Sequence, residues 1–178
     1  MKAEKSRRGD ELQSLKRKEN KIIKQLIYKE TGGFLPLQKD SLKKTLILDM
    51  DETLIHTDFS PSFNYENILE VVLDGDKTTV FLSLRPGVSE FIEHMYRFYE
   101  LVLFTASVSS YASPILNIID PQRRISHRLF RQHSKAVNGT YIKDLSRIGR
   151  NLKDVILVDN LPISYILQQE NGIPIKSW

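Results

Sequence analysis

The stretch Thr45-Leu46-Ile47-Leu48-Asp49-Met50-Asp51-Glu52-Thr53 places two carboxylates one residue apart, directly after a short apolar run. Two anions crowded at a buried strand tip repel each other, which raises one pKa or destabilises the fold. A hard divalent cation such as Mg2+ removes that penalty and takes oxygen ligands. Handling a phosphoryl group is a second reason for the spacing. Helix N-caps and Asx-turns use the same residue types, so the pair alone fixes no chemistry. Val155-Ile156-Leu157-Val158-Asp159-Asn160 repeats the pattern, with an apolar run again ending in an oxygen ligand. Two such strands side by side would make a divalent-metal site. Phe104-Thr105-Ala106-Ser107 ends a third apolar run in small hydroxylated residues, suited to phosphate oxygens where backbone N–H groups turn into a helix. Lys143 stands in the mostly apolar Tyr141-Ile142-Lys143-Asp144-Leu145. Neutralising a phosphate is one reason for a lysine there, and an ion pair with Asp144 is another.

The elements that must carry these groups have an α/β pattern. Thr45–Leu48, Leu101–Phe104, Val155–Val158 and Ile173–Ile175 set apolar residues side by side rather than alternating, as strands buried on both faces of a parallel sheet do. Acids at the carboxyl ends of such strands lie where open α/β sheets bind ligands. Val88, Phe91, Ile92 and Met95 mark one helix, and Tyr111, Ile115, Leu116 and Ile119 a second that Pro121 ends. Ile68–Leu73 and Thr78–Leu82 alternate around Asp74-Gly75-Asp76, the pattern of a β-hairpin inserted between the first strand and the first helix.

Bulk properties narrow the classes. With 178 residues the chain holds one domain with a real core. Cysteine is absent, which excludes disulfides, thiolate catalysis and Cys-bound zinc or iron–sulfur centres. No apolar run reaches the roughly 18 residues of a membrane span, and the N-terminus carries charges where a signal peptide is apolar. A nuclear or cytoplasmic protein is the expectation. The net charge of +4 divides unevenly: residues 1–44 hold 13 Lys/Arg against 6 Asp/Glu, and the remainder 13 against 16. Direct nucleic-acid binding is therefore not expected of the body. Leu12, Leu15, Ile22, Ile23, Leu26 and Ile27 predict an amphipathic helix over 11–30 in the basic extension. It could dock on the domain, bind another protein, or form only when bound. Lys16-Arg17-Lys18 reads as a scattered basic surface, a nuclear address or a contact for an acidic partner. Pro36 and the polar run to Lys44 read as a linker, so the domain is expected over 45–178.

The set Asp49-Met50-Asp51-Glu52-Thr53, Thr105, Lys143 and Asp159 resembles the four motifs of the haloacid dehalogenase (HAD) superfamily of phosphatases. With Leu54-Ile55-His56, Leu84-Arg85-Pro86-Gly87, Lys143-Asp144-Leu145-Ser146-Arg147 and Val158-Asp159-Asn160, the likeness narrows to the FCP1-like small phosphatases that act on the C-terminal domain of RNA polymerase II. The resemblance implies a HAD-like, Rossmann-like parallel sheet flanked by helices, with the small hairpin and no large cap domain. It implies Asp49 as the nucleophile that forms an aspartyl-phosphate, Asp51 as general acid and then base, Thr105 and Lys143 as the phosphate cradle, and Thr53 as a group orienting Asp51. Mg2+ would be held by the Asp49 side chain, the Asp51 backbone carbonyl and Asp159, with Asn160 near its water shell. The substrate implied is a phosphoserine or phosphothreonine protein with an extended Ser/Thr-Pro-type segment. Phe59, Val71, Leu73, Val80, Val108 and Tyr111 fall at positions of an apolar peptide pocket, with Phe59 and Tyr111 the stronger candidates, and Arg131 at that of a phosphosegment-holding arginine.

Departures from the pattern include Met50 for leucine, Gln132 for an acidic residue and Ser113 for aspartate. Family members continue past the Ser177-Trp178 equivalent with an acidic stretch and a final helix. The chain is thus expected to be a fragment, or to lack that helix and expose apolar surface. Two other readings stand beside the leading one: a binding module that keeps the fold without catalysis, as import-receptor relatives do, and a phosphatase for small metabolites.

Overall fold

A computed structural model of the chain describes residues 33–60, 65, 67–73 and 75–178. The helix expected over 11–30 lies outside the described residues. At the centre stand the two acid-tipped strands, β1 (Lys44–Leu48) and β9 (Val155–Asp159), paired in parallel with Leu48 opposite Val158. On the other side of β1 lies β5 (Tyr99–Phe104), and the five-stranded parallel order is β10-β9-β1-β5-β6, with β10 at Gly172–Pro174 and β6 at His127–Leu129. Alternate residues point to opposite faces, and both faces are covered. Leu46, Leu48, Leu101 and Leu103 enter one core with the two helices. Ile47, Val102, Phe104, Val155 and Leu157 enter a second with Leu145, Ile148 and Tyr165. Each such side chain, fully buried, contributes about 1.5–3 kcal/mol.

Gly87, left-handed at φ 80°, opens helix α1 (Val88–Phe98), which buries Val88 and Ile92. Helix α2 (Ser109–Ile119) buries Tyr111, Ala112, Ile115, Leu116 and Ile119, and ends at Asp120 just ahead of Pro121. The inserted unit is larger than a hairpin. Strands β3 (Asn67–Leu73) and β4 (Asp76–Leu84) turn at Gly75, and β2 (Ile55–Asp58) pairs with the other side of β4. A second antiparallel pair, β7 (Lys135–Val137) and β8 (Thr140–Ile142), turns through Asn138 (φ 47°) and Gly139 (φ 79°).

The domain begins earlier than Thr45. Leu35 is 1% exposed in the second core, and the Phe34 and Leu35 N–H groups donate to the Arg147 and Ile148 carbonyls at 2.8 and 3.1 Å. A Cβ on Gly33 would meet the Gly149 Cα at 2.7 Å, so this contact needs a glycine. Among the described residues no helix is long and apolar enough to cross a membrane.

Candidate active site

The carboxyl tips of β1 and β9 bring Asp49 and Asp159 together, and the residue after β8 drives an ammonium between them. Lys143, 2% exposed, donates from Nζ to Asp49 Oδ1 at 2.5 Å and to Asp159 Oδ2 at 2.7 Å. Its main chain is anchored by donation from its N–H to the Ser164 carbonyl at 2.6 Å. Asp144 is not its partner: that carboxylate accepts from Ser146 and Gln168. Burial works to neutralise Lys143, but the adjacent Asp49 and Asp159 outweigh it and hold its pKa above the usual lysine value. Asp49 is held above the usual carboxylate range by burial and by the Asp159 charge, against the opposing pull of Lys143. One ammonium thus compensates two buried carboxylates incompletely.

Other partners fix each acid. Asp49 Oδ2 accepts from Thr53 Oγ1 at 2.9 Å, and the same hydroxyl is 3.4 Å from Asn160 Oδ1. Thr53 therefore orients Asp49 and not Asp51, correcting the expected role. Asp159 Oδ1 accepts from the Leu161 N–H at 2.8 Å and from Ser164 Oγ at 3.1 Å. The side chain of Asp51 turns to a different set of groups. Its Oδ1 accepts from Tyr111 Oη at 2.8 Å, and its Oδ2 from Ser107 Oγ at 2.8 Å and Thr105 Oγ1 at 3.3 Å. Tyr111 Oη also shares a 2.7 Å hydrogen bond with Thr57 Oγ1, and burial, with the Asp51 charge second, pushes the phenol well above its ordinary pKa. It stays a protonated donor.

The turn that carries Asp51 is held from below and from the side. Met50, fully buried, accepts at its carbonyl from the N–H groups of Thr53, Leu54 and Ile55. Glu52 takes a left-handed φ of 61°. Arg85 donates to the Thr53 carbonyl at 2.6 Å, the Glu52 carbonyl at 3.2 Å and the Lys176 carbonyl at 2.7 Å, and lies 5.5 Å from the Trp178 ring centroid. Sequence reasoning gave Arg85 and Ser164 no role of their own and read Ser107 as a phosphate-oxygen donor rather than a donor to Asp51, since each acts through a contact made only by the tertiary fold.

A cleft of about 410 Å3 opens over these groups, bounded by Asp49, Asp51, Thr105, Lys143, Asp159 and Asn160. The expected peptide-pocket residues divide. Phe59 is 57% exposed beyond β2, while Leu73 and Val108 are partly buried on the first core. Val71 and Val80, at 1% and 0% exposure, are core residues, which corrects their expected place on an open pocket wall. Tyr111 is buried with its hydroxyl committed to Asp51. Arg131 donates to the Ala106 carbonyl at 2.7 Å and stacks over Tyr141, at the rim of the Thr105 loop. Among the described residues no three His, Cys, Asp or Glu side chains converge as a metal cage. The expected ligand set is only two side-chain carboxylates plus a backbone carbonyl.

The model of the NLI interacting factor-like phosphatase family matches residues 44–178. The chain belongs to that family. Phosphatase PSR1 of Saccharomyces cerevisiae is 47% identical over 146 residues, covering 81% of this chain and 34% of the relative. The human carboxy-terminal domain RNA polymerase II polypeptide A small phosphatase 1 is 41% identical over 140 residues, 79% of this chain and 54% of its own. The chain spans about a third to a half of the length of the curated relatives it matches. In fold it is similar to the fission yeast RNA polymerase II CTD phosphatase Fcp1 solved with beryllium fluoride, at TM-score 0.66 and 22% identity over 76% of this chain and 42% of that one. The HAD-like parallel sheet of this phosphatase family therefore carries the site, with a three-stranded antiparallel insertion beside it.

Proposed function

We propose that the chain is a protein phosphatase that hydrolyses phosphoserine or phosphothreonine esters through a phosphorylated Asp49. The observation that carries this reading is the buried Lys143 ammonium held between Asp49 and Asp159 at neighbouring strand tips. In the first step an Asp49 oxygen forms a bond to phosphorus, the ester bond breaks, and the departing alkoxide takes a proton from Asp51. In the second, Asp51 accepts a proton from water as its oxygen attacks phosphorus, inorganic phosphate leaves, and the Asp49 carboxylate is restored. Tyr111, Ser107 and Thr105 fix the Asp51 carboxyl away from Lys143, so the nucleophile and the acid have separate environments. Lys143 and the Thr105 loop supply donors where charge spreads over the phosphoryl oxygens.

Mg2+ fits the residues present. The donors are all oxygen, Asp49 and Asp159 share the single Lys143 ammonium, and Thr53 and Ser177 orient the Asn160 amide nearby. Asp49, the Asp51 carbonyl and Asp159 would hold the ion, and Asn160 its water shell. The ion supplies charge neutralisation that lets an anionic nucleophile approach an anionic ester. The substrate reading, an extended Ser/Thr-Pro-type segment such as that of the RNA polymerase II C-terminal domain, is supported by the small insertion, by exposed Phe59 and by Arg131 at the rim. A nuclear or cytoplasmic location accompanies such a substrate.

Turnover of an aryl phosphate with Mg2+ and with a chelator tests the chemistry. Wild type releases phosphate only with the ion, and Asp49→Asn loses about four orders of magnitude while melting as a folded protein. A folded wild type that is silent under both conditions overturns the enzyme reading.

A further inference from the structure

A cavity of about 670 Å3, larger than the catalytic cleft, opens at the opposite end of the sheet, beside the first residues of β1, β5 and β6. It lies at least a strand length, about 16 Å, from Asp49. Its walls are the loop at 38–43 and the loop at 123–126 running into the start of β6, with the end of α1 between them. The cavity is basic: five cationic side chains, Lys39, Lys43, Arg123, Arg124 and Arg128, face two carboxylates, Asp40 and Glu100. Glu100 is already paired from outside by Arg150 at 2.6 and 2.7 Å.

Structural duties explain only some of these cations. Arg124 pairs with Glu93 at 3.0 Å and lies 4.1 Å from the Tyr96 ring centroid. Arg128 reaches Asn117 at 3.2 Å and Asp120 at 3.8 Å. Lys43 donates to the Tyr96 carbonyl at 2.6 Å and pairs with no carboxylate among the described residues. Lys39 and Arg123 have no ion pair among them either. Arg123 also takes a left-handed φ of 55°, a conformation that disfavours an arginine. The loop is held there by buried Asp120, which accepts from the Arg124 and Ile125 N–H groups at 2.7 and 3.0 Å. Lys39 and Arg123 are exposed, and like charges gathered around one hollow give it a positive potential that draws anions in.

We infer that this cavity binds a compact polyanion carrying two or more phosphoryl groups. The volume is that of a small-ligand site. Guanidinium groups bind phosphate through paired donors, and the lysines add point charges on the facing wall. The same chemistry occurs in a soluble polyphosphate and in a polyphosphorylated lipid headgroup.

The test is calorimetric titration of the full chain with tripolyphosphate at about 0.15 M ionic strength, without metal, beside co-sedimentation with phosphatidylcholine vesicles containing phosphatidylinositol bisphosphate. Lys39→Gln with Arg123→Asn removes the two cations whose side chains have neither an ion pair nor a hydrogen bond among the described residues, and asparagine tolerates the left-handed backbone. The double variant weakens one binding site at least tenfold, while aryl phosphate turnover stays unchanged. Lys77→Ala with Lys153→Ala, an equal loss of charge elsewhere, leaves that site intact. Binding of tripolyphosphate alone assigns a soluble ligand, and binding of vesicles alone assigns the headgroup. No binding of either, an isotherm indifferent to Lys39 and Arg123, or equal weakening by the distant pair overturns the inference.

Discussion

At the amino end of the central sheet Glu100 is buried with its charge fully met, whereas at the carboxyl end Asp49 is buried with its charge met only in part. Burial opposes ionisation of Glu100, yet hydrogen bonds from Arg150 and His127, the Arg150 charge and Thr45 bring its pKa down to about 2. Around Asp49 the balance has the other sign: burial raises its pKa, and the Lys143 ammonium that opposes the rise is shared with Asp159, whose charge adds to it. A carboxylate that only holds the fold is given its own bidentate guanidinium, and one placed to react is left needing positive charge.

The largest break in this contrast comes from Lys143→Ala. It leaves two buried carboxylates facing each other, so turnover falls by about two to three orders of magnitude. Stability falls by about 3–5 kcal/mol. Asp49, already raised by burial, loses the ammonium that opposes that rise, so the variant is more stable at low pH and loses stability as pH climbs through the raised Asp49 value. Chemical denaturation of the variant at several pH values reads this slope, and a flat profile refutes the undercompensated pair. Glu100→Gln acts at the other end: a loss of about 1–3 kcal/mol at neutral pH with aryl phosphate turnover within about twofold of wild type. In wild type the lowered Glu100 pKa contributes stability above the ordinary carboxylate pKa, and that contribution disappears as pH falls toward 2. The variant's denaturation midpoint is therefore less acid-sensitive, and identical acid profiles remove Glu100 from its structural role. Smaller still is Tyr111→Phe, which deletes one donor to Asp51 and keeps the ring; kcat drops about three- to tenfold with KM nearly constant. A rise in KM alone would return Tyr111 to substrate contact.

Which features the sequence disclosed follows from how local their signals are. β1, β5 and β9 were legible because each is a continuous apolar run, and α1 and α2 because their apolar spacing is helical. Ile173–Ile175 was read one residue late against Gly172–Pro174. Strands of three or four residues, β2, β6, β7 and β8, have no room for a period. Val137-Asn138-Gly139-Thr140 is the exception, an Asn-Gly hairpin turn whose local sign marks β7 and β8 and delivers Lys143. The acids, Thr105 and Lys143 announced themselves through motif order. That Thr53 serves Asp49, that Tyr111 serves Asp51, and that Val71 and Val80 are sealed inside are outcomes of packing between distant segments, which residue types alone do not encode.

The outermost strands of the central sheet, β10 and β6, are three residues each, and β10 ends in Pro174, which has no N–H to donate. A flanking molecule would find too few free backbone groups there to extend the ladder. Crowded or concentrated solutions should therefore leave the edges of this central sheet resistant to strand-by-strand polymerisation, however much apolar side-chain surface lies alongside.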